Sequence, residues 1–227
     1  MHWLMTPMDR HSDDGFGAMA TAFKASAETL LAAEKDSMAQ RELPTCFLLR
    51  HAAELFLKST LVVSHRAFTL EKKSYPTVLI DGKDKPLTNV HGLGPLYRAL
   101  TTMLTKHQIA LAERARTSWL PMPVELDEAI ALIDEMDRKG VFFRYPTEIN
   151  ASKSTNKPMT TEQMAAWDKD KQGYLKAFVV FDQNDEVKEI YKYDPNLLTN
   201  ELQALKLACE WLNSFHVGLR MELAAGW

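Results

Sequence analysis

Segment 44–63 is the most apolar run in the chain, and it constrains the fold more than any other stretch. Four ionisable residues interrupt it: Arg50, His51, Glu54 and Lys58. At about 100° per residue in an α-helix, these four share one stripe, whereas the rest of the circumference is apolar. Other elements must cover most of such a helix. We therefore predict a central helix whose polar stripe either borders a groove or is paired internally.

The composition is typical of a globular protein. The chain has 227 residues, of which 46% are hydrophobic and 25% are charged, and this predicts one sizeable core with an insertion. A formal net charge of −3 gives no global basic excess for nucleic acid, which leaves a local basic groove as an open alternative. The two cysteines lie in apolar helical patterns, which favour buried thiols in a reducing compartment.

Neither a targeting signal nor a membrane span is indicated. The first ten residues lack the charged start and the apolar core of a secretory signal. The apolar segment 44–63 contains four ionisable residues, which are costly inside a bilayer. We therefore predict a cytoplasmic protein with no membrane partner.

Helical spacing of apolar residues dominates the chain and predicts a mainly α protein. Five helices are expected, at about 13–39, 44–68, 95–116, 124–138 and 196–223. Pro44 suits the first turn of the second helix, and Gly140 is a plausible stop for the fourth.

Two stretches break this pattern. Residues 70–89 form a connecting excursion, with one hairpin expected around Asp81-Gly82. Residues 150–194 are predicted to form a polar loop, up to about residue 170, followed by a β-hairpin of strands 175–181 and 187–193. We predict one domain over residues 1–227 that contains both.

Four features of the chain, taken in order, resemble the HEPN superfamily of small helical-bundle domains. They are Leu49-Arg-His-Ala-Ala-Glu-Leu-Phe-Leu-Lys58, Asn89-Val-His-Gly-Leu93, Phe143-Arg-Tyr-Pro146 and a long final helix. The first is similar to the family's Leu-Arg-His/Gln-Ala-x-Glu-Leu-x-Leu-Lys helix, and the second to its His-x-Leu helix entrance. The resemblance leaves the loop at 150–173 and the hairpin unexplained.

The resemblance implies an up-and-down helical bundle of about five helices, here with a small β-hairpin inserted before the last helix. Such domains are commonly dimeric and are often associated with RNA cleavage in toxin–antitoxin, defence and RNA-processing systems. The ribonuclease members carry an arginine, four to six residues, and then a histidine. This chain departs from that pattern, because its nearest approaches, Arg98 to His107 and Arg41 to His51, are too far apart.

The polar stripe supplies the first candidate site. Arg50 and Glu54 are one helical turn apart, as are Glu54 and Lys58, so the three can pair along the helix as an internally neutralised ladder. We expect Arg144, from the Phe-Arg-Tyr-Pro turn, to be a further partner of Glu54. In this interpretation the polar stripe has a structural role and holds the end of the fourth helix against the second helix.

A functional interpretation of the same region is the alternative. Arg50, His51 and His91 could form a phosphate-binding or general-base cluster, because histidine titrates near neutral pH and arginine binds phosphate through two hydrogen bonds. The candidate catalytic residues are Arg50, His51, His91 and Arg144. The candidate binding residues are Arg50, His51, Glu54, Lys58, His91, Arg144 and Tyr145.

Three functions follow from these observations. We predict a HEPN-like homodimer that acts by binding RNA, a nucleotide or a protein partner, in bacterial stress or defence. The alternatives are an active metal-independent ribonuclease with a non-standard Arg/His site, and a purely structural dimeric subunit. The sequence has no HExxH motif and no Gly-rich phosphate loop, and we predict neither a metal nor a cofactor.

Overall fold

The computed structural model describes a mainly helical protein with two small antiparallel sheets, as the sequence predicted. The residues described are 7–32, 41–69, 74–138, 140–143, 157–170, 177–192 and 198–225. They divide into two compact units, one from residues up to 146 and from 200 onward, the other from residues 147–199. The single domain over 1–227 stays a prediction. Among the described helices, none is both long and apolar enough to cross a bilayer.

Seven α-helices and four strands are described. The helices are α1 (Phe16–Ala32), α2 (Glu42–Thr69), α3 (Leu93–Lys106), α4 (Gln108–Arg114), α5 (Val124–Met136), α6 (Thr161–Asp170) and α7 (Thr199–Leu223). The strands are β1 (Thr77–Ile80), β2 (Lys83–Pro86), β3 (Ala177–Phe181) and β4 (Val187–Lys192). β1 pairs with β2, and β3 pairs with β4. Both hairpins were predicted from the sequence.

The second helix is central, as its apolar circumference predicted. Every residue from Ala52 to Ser64 is buried, and Pro44 lies in the first turn of the helix. α2 packs against α1 and α3, and the Cys209 thiol of α7 lies 3.1 Å from the Leu49 carbonyl oxygen. Three helices therefore cover the apolar surface that the sequence left to be buried.

The third predicted helix, at 95–116, is broken in two at His107. This residue leaves the helical conformation (φ −107°, ψ 20°), and its ring stacks on Phe68 near the end of α2. After the break, Arg114 donates hydrogen bonds to the Ala67 carbonyl at 2.7 Å and to the Leu223 carbonyl at 3.1 Å. Arg114 thereby satisfies carbonyl groups at the C-terminal ends of α2 and α7 that have no partner within their own helices.

The polar loop predicted at 150–170 was wrong for its second half, where the structure has α6. Thr160 precedes this helix, and its hydroxyl oxygen accepts a hydrogen bond from the Gln163 amide at 3.3 Å. In return, the Gln163 side-chain oxygen accepts the Thr160 amide at 2.9 Å. This reciprocal pair is a capping box, which satisfies two amide groups at the start of a helix. The Thr-x-x-Gln spacing was visible in the sequence.

A buried polar triad of Asp13, Ser59 and His216 joins three elements of the first unit. Asp13 precedes α1 and accepts the Gly15 amide at 3.0 Å, the Gly17 amide at 2.7 Å and the Ser59 hydroxyl. His216 of α7 places Nδ1 2.7 Å from the Ser59 hydroxyl oxygen. Burial lowers the pKa of His216 to about 4, which outweighs the opposite effect of Asp13. The His216 side chain is therefore neutral at pH 7.

This triad predicts a loss of stability in mild acid. An unfolded histidine has a pKa of about 6.5, so between that pH and about 4 the unfolded chain binds a proton that folded His216 does not. The free energy of unfolding should fall by up to about 3 kcal/mol as the pH is lowered through this window. Urea unfolding at pH 4.5, 5.5 and 7 measures it.

Two variants test the origin of this pH dependence. His216→Gln should remove most of the fall between pH 7 and pH 4.5, whereas His107→Gln, which leaves the triad intact, should retain it. An equal pH dependence in wild type and His216→Gln would assign the effect to other groups.

Candidate functional site

The polar stripe of α2 forms a buried ion-pair network, here called the Arg50 cluster. It consists of Arg50, Glu54 and Lys58 on α2, Asp137 at the end of α5, and His91 in the turn before α3. Arg50 is only 1% exposed, and Glu54, Lys58 and Asp137 are also buried. Two cationic and two anionic side chains thus cancel inside the core.

Arg50 is fixed by acceptors from three segments of the chain. Its Nε donates to Asp137 Oδ2 at 2.8 Å, its Nη1 donates to the Glu54 carboxylate, and its Nη2 donates to the His91 carbonyl oxygen. A buried guanidinium is strongly unfavourable unless its donors are paired. Here all three nitrogens have an acceptor, so α2, the end of α5 and the turn before α3 are held together by one side chain.

Glu54 lies at the centre of the cluster. Its Oε1 accepts hydrogen bonds from Lys58 Nζ and His91 Nδ1, both at 2.9 Å, and its Oε2 accepts from Arg50. Burial alone would raise the pKa of this carboxyl, but the charges of Arg50 and Lys58 outweigh burial and lower the pKa to about 2. Glu54 is therefore ionised at neutral pH, and the ladder of ion pairs predicted along α2 is confirmed.

Asp137 is the member of the cluster that sequence reasoning missed. Besides binding Arg50, it accepts the Phe142 amide at 2.9 Å through Oδ1, which closes the turn after α5. Gly140 in this turn has φ +74°, and a Cβ there would lie 2.5 Å from Arg50 Nη2. Arg144, the partner expected for Glu54, lies outside the described residues, as does Tyr145.

The two candidate histidines have different surroundings. The His91 side chain is 45% exposed, and because Glu54 is an ionised acceptor, His91 Nδ1 carries the hydrogen of their bond. The His51 ring instead packs edge-on against Phe23 of α1, with centroids 4.5 Å apart, and lies parallel to Phe47. The structure thus brings His91 into the Arg50 cluster and places His51 against aromatic rings.

Comparisons with known proteins assign no family. Neither the protein-family models nor the curated proteins nor the solved structures gave a match to this chain. The HEPN resemblance therefore stays a prediction that rests on the motifs. Within the described part of the chain, no group of three or more histidine, cysteine or acidic side chains is placed to hold a metal ion.

Removing the central charge should destabilise the fold. Glu54→Gln leaves Arg50 and Lys58 buried without their shared anion, and breaking such a network costs about 3–5 kcal/mol. Urea unfolding should show this loss as an earlier midpoint. Glu128→Gln, at an exposed position of α5, is the matched control and should change the free energy of unfolding by less than about 0.5 kcal/mol. Equal midpoints for the two variants would contradict the structural role of Glu54.

The turn at Gly140 provides a second test. Gly140→Ala adds a methyl group against the Arg50 guanidinium at a positive φ, whereas Gly82→Ala adds one at φ +73° in open space. The control therefore carries the backbone cost of about 1–2 kcal/mol alone, and Gly140→Ala should lose a further 1–3 kcal/mol or so from overpacking. The two unfolding free energies measure the difference, and a difference of zero would mean that Arg50 moves freely away.

Proposed function

We propose that this protein is a HEPN-like helical-bundle domain that binds RNA without cleaving it. The observation that carries the proposal is the burial of Arg50 with all three of its nitrogens paired. Metal-independent RNA cleavage uses a base at the 2′-hydroxyl and a cation at the phosphate. An arginine that holds two carboxylates and a carbonyl inside the core does not serve as that cation, so the Arg50 cluster supports an architectural role.

RNA is proposed as the ligand because of the HEPN resemblance. The motifs that carry it include both Arg50 and His91, and these two residues meet in the cluster. The up-and-down arrangement of the bundle, the hairpin inserted into it, a homodimeric state and a role in bacterial stress or defence belong to the same proposal. Light scattering on the purified protein measures the oligomeric state directly.

A metal-independent ribonuclease is the second candidate, and one observation favours it. The ionised Glu54 carboxylate holds His91 Nδ1 at 2.9 Å, and almost half of the His91 side chain is exposed. A carboxylate that accepts the Nδ1 hydrogen fixes the tautomer in which Nε2 can act as a general base. In this alternative His91 would take the proton of the 2′-hydroxyl, with Glu54 as its positioning residue.

One experiment separates the two candidates. A fluorescently labelled single-stranded RNA is incubated with the protein, its binding is followed by anisotropy, and its integrity is followed on a denaturing gel. We expect the RNA to bind. We also expect it to stay intact, because Arg50 is not available to the phosphate.

The variants define the outcomes. Cleavage that is lost in His91→Ala but retained in Asn89→Ala, an exposed neighbour, would establish the ribonuclease instead. Neither binding nor cleavage by the folded wild-type protein would contradict both candidates and favour a protein partner or a structural subunit.

A further inference from the structure

An open groove of about 530 Å³ lies within the first unit, apart from the Arg50 cluster. Its walls are the end of α2, the β1–β2 hairpin and α3. Pockets that bind small molecules are typically about 300–1,000 Å³ and combine apolar walls with a few convergent polar groups. The side chains that line the groove include Phe68, Asp84, Arg98, Lys106 and His107.

A pair of stacked rings forms part of the groove wall. The rings of Phe68 and His107 lie 4.6 Å apart between centroids and are 11° from parallel. The break between α3 and α4 at His107 brings this ring to the end of α2. Flat aromatic faces at a partly exposed position are surfaces on which nucleic-acid bases stack without dependence on sequence.

Two cationic side chains of α3, Arg98 and Lys106, line the same groove as these rings. Arg98 and Lys106 are eight residues apart, which is about 12 Å along a helix axis. The Arg98 side chain is 69% exposed, and its Nη1 is 3.9 Å from Asp134 Oδ2, so the pair is long and solvated. Unlike Arg50, Arg98 is therefore accessible to an incoming phosphate, which a guanidinium binds through two hydrogen bonds.

We infer that this groove binds a phosphorylated nucleoside. The base stacks on the Phe68–His107 pair, and Arg98 and Lys106 bind the phosphate. Asp84, on the hairpin side, can accept hydrogen bonds from ribose hydroxyls. The same chemistry is offered by a free nucleotide and by one nucleotide unit of single-stranded RNA. For RNA, this inference rests on the proposed function and assigns the RNA-binding site to the groove.

Calorimetric titration with small probes tests the groove itself. The probes are the four ribonucleoside monophosphates, the corresponding nucleosides and inorganic phosphate, at low salt. At least one monophosphate should bind on the order of tenfold more tightly than its nucleoside and than phosphate, because only the monophosphate uses both the rings and the cations.

Variants assign the binding to named side chains. Arg98→Gln should weaken monophosphate binding about tenfold and leave nucleoside binding unchanged. Phe68→Leu should weaken both, and the exposed Arg98 provides a test even if Phe68→Leu unfolds. Arg116→Gln, an exposed arginine outside the groove, is the matched control and should bind as wild type.

A single-stranded RNA oligonucleotide then distinguishes the two sources. RNA binding that Arg98→Gln weakens and a monophosphate displaces supports the groove as the RNA site. Monophosphate binding without RNA binding supports a free nucleotide and contradicts the proposed function. If RNA binds, but neither Arg98→Gln nor Phe68→Leu weakens the binding and no monophosphate displaces the RNA, the groove inference is overturned. The proposed function then still stands. Binding of neither probe overturns both.

Discussion

Burial of the Arg50 guanidinium is the condition on which the arrangement of the first unit depends. A charge removed from water must be met by acceptors at close range, and Arg50 obtains them from its own helix, from the turn before α3 and from Asp137 at the end of α5. Two of these acceptors, the His91 carbonyl oxygen and the Asp137 carboxylate, are far from Arg50 in the chain and reach it only when the turn before α3 and the end of α5 pack against α2. We therefore infer that the main role of the Arg50 cluster is to specify how these segments pack together. Its contribution to stability is secondary.

A second polar contact of α2 lies on the opposite side of the helix from Arg50. Ser59 follows Arg50 by nine residues, which is about 180° around an α-helix. Its hydroxyl meets Asp13 at the start of α1 and His216 of α7, whereas Arg50 meets the turn before α3 and the end of α5. Polar groups on opposite sides of one buried helix thus select different neighbours. Apolar packing alone would leave those neighbours more freedom to slide and rotate.

Whether a contact could be predicted from the sequence depends on how far apart its residues lie in the chain. The ladder of Arg50, Glu54 and Lys58 depends on spacing within one helix, and the Asp81-Gly82 hairpin depends on a local turn, so both were predictable. Asp137 lies 87 residues from Arg50, and no local pattern encodes that contact. The start of α6 was a different kind of error, because its capping box was present in the sequence and was outweighed by polar composition.

The groove was not predicted, because it arises from a break in a helix that the apolar spacing made continuous. Arg98 and His107 are too far apart in sequence to resemble the Arg/His pair of HEPN ribonucleases, yet both line the groove, where the end of α3 meets Phe68. The chain therefore separates two uses of arginine. Arg50 donates a hydrogen bond that holds the turn before α3 against α2, and this contact helps to position α2 and α3, which form two of the groove walls. Arg98 remains in solvent on one of those walls, where a phosphate can reach it.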